Sequence, residues 1–173
     1  MKSISGGLAV TLMAAFLGAC ASSGDTDTLN AYAEATPGAP LAENFASGPV
    51  APRSAELDQL IAAYANHYEV PESLVRRVVK RESNFNPTAR NGPYWGLMQI
   101  RHDTAGTMGY RGSASGLLDA GTNLNYAVRY LRGAYLTAGG NNDRAVRYYA
   151  SGYYYDAKRK GLLDETGLGT DRK

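Results

Sequence analysis

The chain has 173 residues, a formal net charge of +2, a pI near 8.6, one cysteine and 13 tyrosines. This length leaves room for one domain once a leader and a tether are set aside. The charge is too small to indicate a nucleic-acid partner, though a mild basic excess suits an anionic polymer, and a lone cysteine provides no disulfide to staple the fold.

Met1-Lys2 supplies a positive charge ahead of the apolar run Leu8–Leu17, which is well below the ~20 residues needed to span a bilayer. This is a secretory signal pattern, expected over residues 1–19. It ends in Leu17-Gly18-Ala19-Cys20, which resembles the lipobox of bacterial lipoproteins. The resemblance implies cleavage before Cys20, lipidation of its sulfur and attachment to a membrane through that lipid. Ala21, where aspartate would retain a lipoprotein at the inner membrane, favours the outer membrane. Residues 20–53 are rich in Ala, Gly, Ser, Thr and Pro, with Pro37, Pro40, Pro49 and Pro52 interrupting any regular pattern. They read as a flexible tether.

From Ser54 the period is helical. Ser54 is a good N-cap, and Leu57, Leu60, Ile61, Tyr64 and Tyr68 fall on one face. A second helix starts at Val70-Pro71, with proline in the tolerated first turn, and runs to Glu82. Residues 84–94 read as loop, punctuated by Asn86-Pro87 and Gly92-Pro93. A short helix is expected at Gly96–Ile100, and Gly109–Gly116 is again loop. Asp119 or Thr122 caps a longer helix with Leu124, Ala127, Val128, Leu131 and Tyr135 on its face, stopped by Gly139-Gly140. Asn142 or Asp143 caps the next, ending at Gly152, and an amphipathic piece near Tyr153–Lys160 closes the domain. No convincing strand run is present. The expectation is a small, mainly α domain over residues 54–165, followed by a flexible tail, 166–173.

Glu82 stands out chemically. Leu74, Val75, Val78 and Val79 repeat at helical spacing, and Glu82 lies one turn beyond the last two, on the apolar side. Burial and the negative end of the helix dipole both favour a carboxyl that keeps its proton, as a general acid must. The bland alternative is a helix-end glutamate turned to solvent.

Four segments then align: Glu82–Pro87 (E-S-N-F-N-P), Gly96–Ile100 (G-L-M-Q-I), Asn123-Leu124 with Tyr130-Leu131, and Ala145–Gly152 (A-V-R-Y-Y-A-S-G). In this order and spacing the chain resembles the catalytic domain of soluble-lytic-transglycosylase-type enzymes, which have a small lysozyme-like fold of the goose type. The resemblance implies cleavage of the β-1,4 bond between N-acetylmuramic acid and N-acetylglucosamine in peptidoglycan strands, with Glu82 as single acid and base and a 1,6-anhydro product. It implies supporting roles for Ser83 beside the acid, for Gln99 bonding the saccharide, for Tyr130 facing the cleft, and for Tyr149 with its hydroxyl near the acid. Gly96 is expected to let the backbone approach substrate, and Asn91 to replace a serine common in the family. No cofactor or metal is implied: His67 and His102 are the only histidines and belong to no ligand motif. The implied location is the periplasmic face of the cell envelope.

The chain departs from the family at Asn91–Trp95, at Tyr149-Ala150 where Tyr-Asn is usual, and at Tyr153–Lys158. These departures bear on subsite geometry. Two other functions compete. A lysozyme-type hydrolase needs a second, water-activating carboxylate, for which Asp103 and Asp119 are the candidates although each suits a loop or helix cap. A non-catalytic glycan-binding module would have no use for a partly buried acid.

Overall fold

The computed structural model describes residues 50–169. The leader and Cys20 lie outside the described residues, as does most of the segment read as tether. The described residues form six helices and a small hairpin sheet: α1 (Ala55–His67), α2 (Glu72–Ser83), β1 (Arg90–Asn91), β2 (Tyr94–Trp95), β3 (Ile100–Arg101), α3 (His102–Thr107), a 3₁₀ turn (Ala114–Leu118), α4 (Ala120–Thr137), α5 (Asn142–Ser151) and α6 (Tyr154–Arg159). Among the described residues no helix is long and apolar enough to cross a membrane.

The helices begin where their caps require. The Ser54 hydroxyl accepts from the Leu57 amide at 3.1 Å, and Asp119 accepts from Thr122 at 2.7 Å, each satisfying an otherwise orphaned N–H. Asn141 caps α5 through the Arg144 amide at 2.9 Å, a residue earlier than the cap expected at Asn142 or Asp143. α4 is the axis of the domain. Leu124, Ala127, Val128, Leu131 and Ala134 are fully enclosed along it, and both α1 and α5 pack against it. Leu57, Leu60 and Ile61 of α1 and Ala145 of α5 complete the core, whose burial is the main stabilising term.

The antiparallel sheet has strand order β1-β2-β3, pairing Arg90 with Trp95, Asn91 with Tyr94, Tyr94 with Arg101, and Trp95 with Ile100. Gly96–Gln99 is a turn that leads into β3, which overturns the short helix expected at Gly96–Ile100. Gly96 at φ +69° and Gln99 at φ +48° are left-handed, and neither conformation continues a right-handed helix.

Both ends of the expected domain extend further. Val50 is buried in the core, although its segment reads as tether. Thr166 is also buried, and its hydroxyl donates to the Leu162 carbonyl at 2.8 Å, so the chain is packed past residue 165.

Candidate active site

α2 delivers Glu82 to the surface near α5. Leu74, Val75, Val78 and Val79 are buried, whereas the Glu82 side chain, one turn on, retains 22% of its exposure. It sits half-covered at the edge of the core. Burial pushes its carboxyl pKa above the ordinary glutamate value, and the adjacent Arg81 guanidinium, 3.6 Å away, pulls in the opposite direction.

Facing it from α5 is Tyr149. Burial pushes this phenol's pKa far up, and the Glu82 carboxylate adds to the shift, so the two groups lie within electrostatic reach. The Tyr149 hydroxyl donates to the Met98 carbonyl at 2.8 Å. Its ring meets Tyr130 edge-on at 5.4 Å, and Tyr130 lies 4.9 Å from Tyr153. Tyr153 in turn donates to the Tyr130 carbonyl at 2.9 Å. Tyr153 fits because position 133 is glycine: a Cβ there would collide with the Tyr153 ring. Burial raises the Tyr130 pKa to about 12, so all three rings stay neutral and form a packed layer behind the acid.

Met98 is held from two sides. Its carbonyl takes the Tyr149 proton donor, and its amide donates to Asn123 Oδ1 at 2.9 Å. Asn123 Nδ2 donates to the carbonyls of Trp95 and Leu117, each at 2.8 Å. Asn123 is fully buried on α4, and its three bonds tie the Gly96–Gln99 turn to the domain's axis. It belongs to the Asn-Leu motif, yet the sequence reading gave it no role. The available signal was a buried-face position, one turn before Ala127, filled by an amide.

Gly96 is buried, and an added Cβ would collide with Asn123 and the Leu117 carbonyl. The close approach it permits is therefore within the fold, a different reason for glycine from the one expected. Gln99 Nε2 donates to the carbonyls of Gly96 at 2.9 Å and Ala89 at 3.1 Å, so its amide nitrogen braces the hairpin. Ser83 donates back to the Val79 carbonyl at 3.3 Å, inside its own helix. Asn91 stands exposed on the outer strand, paired with Tyr94.

A cavity of about 130 Å³ opens here, lined by Tyr94, Gln99, Arg101, Thr104, Tyr130 and Tyr149 among others. It joins three of the expected residues to Tyr94, from the stretch that departs from the family, and to Arg101 and Thr104, which carry no expected role. Glu82 is adjacent through Tyr149 rather than part of this lining. A larger open groove of about 520 Å³ runs along α2 past Arg76, Arg77, Lys80 and Arg81. Three of these cations already face carboxylates: Arg76 pairs with Asp58 and Glu72, Arg77 with Asp143, and Arg81 with Glu82. Little net charge remains there to attract a ligand.

The candidate second carboxylates are occupied. Asp103 is bound by the Arg101 guanidinium at 2.8 Å and accepts from its neighbour's amide, which holds its pKa below the usual range. Asp119 caps α4.

A membrane-bound lytic murein transglycosylase E from Buchnera aphidicola is 35% identical over 82 residues, covering 43% of this chain and 37% of that relative. The chain thus spans little more than a third of the relative's length. No solved structure matches. The transglycosylase SLT domain matches residues 59–164, a span that carries Glu82, the Gly96–Gln99 turn and the tyrosine layer, and the chain belongs to that family.

Proposed function

We propose that this domain is a peptidoglycan lytic transglycosylase. In this reading the Glu82 carboxyl donates its proton to the glycosidic oxygen between N-acetylmuramic acid and N-acetylglucosamine, and the C1–O bond breaks as positive charge develops at C1. The resulting carboxylate takes the proton of the muramoyl C6 hydroxyl, whose oxygen closes on C1. One bond breaks, one forms, Glu82 regains its proton and no water is consumed. Glycosidases with two carboxylates divide this work between two side chains.

The observation that carries the reading is the state of Glu82. It is half-buried, its pKa is raised, and among the described residues the charged group that acts on it is Arg81, a cation. Asp103 and Asp119 are engaged elsewhere. Tyr149, neutral and fixed through Met98, supports the acid from α5. Tyr130, Gln99 and Tyr94 offer rings and an amide carbonyl along the cavity for the saccharide, and in this reading Ser83, next to Glu82 in the chain, and Asn91, paired with Tyr94, are further contacts for the strand. The proposal extends to the chain's location: anchored through lipid on Cys20 at the periplasmic face of the envelope, on the outer membrane. The Buchnera relative is named as a membrane-bound enzyme, which supports that reading.

The test is mass spectrometry of purified sacculi treated with the protein, with Glu82→Gln as control. Muropeptide ends lighter by one water, absent with the variant, are the expected result. Ends carrying added water would make this a lysozyme-type hydrolase, and intact sacculi with bound protein would make it a binding module.

A further inference from the structure

The helix that carries Glu82 ends in an unusual way. Asn84 caps it at φ +52°, and Phe85 follows at φ +65°. Asparagine enters the left-handed region readily, but a bulky aromatic does so at a cost. Two such residues in succession persist only where their surroundings hold them. The backbone contributes the Asn84 amide to Lys80 and the Asn86 amide to Ser83, both at 3.1 Å.

The side-chain contribution comes from outside the matched family segment, which begins at residue 59. Arg53 donates from its guanidinium to Asn84 Oδ1, and the same guanidinium lies 5.6 Å from the centre of the Phe85 ring. One side chain thus touches both left-handed residues. Arg53 is itself at φ +55°, a conformation that turns the chain between buried Val50 and the Ser54 cap. Anchored on both sides, it reaches the turn from a fixed base.

We propose that Arg53 is a positioning residue for Glu82, clamping the left-handed Asn84–Phe85 turn so that the last turn of α2 cannot fray and the carboxyl stays half-covered opposite Tyr149. The proposal rests on the reading of Glu82 as the catalytic acid. Its action is geometric: the charge that acts on Glu82 is that of Arg81 on its own helix, and the group that faces it from α5 is the neutral Tyr149 phenol. A clamp and a through-space charge make opposite predictions. Loss of the clamp exposes the carboxyl and lowers its pKa toward that of ordinary glutamate, whereas loss of a nearby cation would raise it.

The experiment uses the full chain as wild type, Arg53→Ala, Arg53→Lys, Asn84→Gly and Arg53→Ala/Asn84→Gly. The Glu82 carboxyl is titrated by ¹³C NMR, assigned against Glu82→Gln, beside kcat and KM on sacculi and the melting temperature. Arg53→Ala is expected to move the titration down and to lower kcat about tenfold while KM holds. Arg53→Lys, which keeps a cation over the ring and a donor for Asn84, restores most of both. In the Asn84→Gly background, where glycine adopts the turn freely, removing Arg53 has a smaller effect. An unmoved titration and kcat, an upward shift, or a fall in melting temperature alone would overturn the proposal. Failure of the catalytic reading is distinct: wild type then releases no anhydro ends, while the titration still reports whether Arg53 holds the carboxyl.

Discussion

The Tyr149 hydroxyl is bonded to the Met98 carbonyl at 2.8 Å, so the ring that neighbours the acid is fixed by the G-L-M-Q-I turn. That turn is pinned in its own right by Asn123. Two motifs far apart in the chain, one on α5 and one on the hairpin, therefore share a single hydrogen bond.

Tyr149→Phe keeps the ring against Tyr130 and removes only the donor. The buried Met98 carbonyl loses its partner, at a cost of about 1–3 kcal/mol, which denaturant unfolding will measure. Release of anhydro ends should fall about tenfold or more in kcat, because the ring beside the acid is no longer anchored.

The raised pKa of Glu82 has a definite sign in stability. Below the unfolded value, about 4.3 for glutamate, the carboxyl is neutral in both states and costs nothing. As pH rises through that value the unfolded state ionises first, so stability is lost until the folded carboxyl has ionised as well. Glu82→Gln should therefore melt with wild type in acid and above it at neutral pH, in thermal scans across the range. Activity should decline on the alkaline side as Glu82 loses its proton. Arg81→Gln, which removes the cation lowering the Glu82 pKa, should move that limb to higher pH.

Asn123→Ala leaves the Met98 amide and the Trp95 and Leu117 carbonyls without their shared partner. The expected loss is about 3 kcal/mol or more of unfolding free energy. Gly96→Ala should be comparably severe, since its methyl meets Asn123 and a backbone carbonyl, and its φ disfavours any side chain.

Gln99 and Asn91 should separate in their effects. Gln99→Ala removes two braces from the hairpin and should lower both stability, by about 1–2 kcal/mol, and turnover. Asn91→Ala, on the exposed outer strand, should leave melting unchanged and express any defect in KM alone.

Cys20→Ser should move the chain from the membrane to the soluble periplasmic fraction, and abolish its labelling by fatty acid. Retention of the label would place the lipid on another residue.

The helices were legible because burial follows a 3.6-residue period and the caps are chemically explicit: Ser54, Asp119 and the glycines after α4 all sit where their side chains or lack of them require. The sheet was not legible. Strands of two residues have no alternation to read, and Arg90, Asn91 and Tyr94 pair through their backbones while facing solvent. Gly96–Ile100 has helix-compatible side chains, and only the left-handed φ at Gly96 and Gln99 rules the helix out. Glu82 could be singled out from its place after Val78 and Val79. The contacts of Arg53 could not, since Asn84 and Phe85 lie 31 and 32 residues away and nothing in the segment 50–53 marks it as part of the domain. Buried Val50 was equally hidden in a proline-rich stretch.

Gly133 sits beneath the tyrosine layer, on the same helix as Tyr130 and away from the cavity's lining. Its missing methyl is the space into which Tyr153 fits, and Tyr153 packs against Tyr130, which in turn packs against Tyr149. The wall of the cavity thus depends on a position outside its lining. An engineer wishing to reshape the cavity has a handle there: a change at 133 or 153 shifts the packing behind Tyr130 while every residue of the lining keeps its identity.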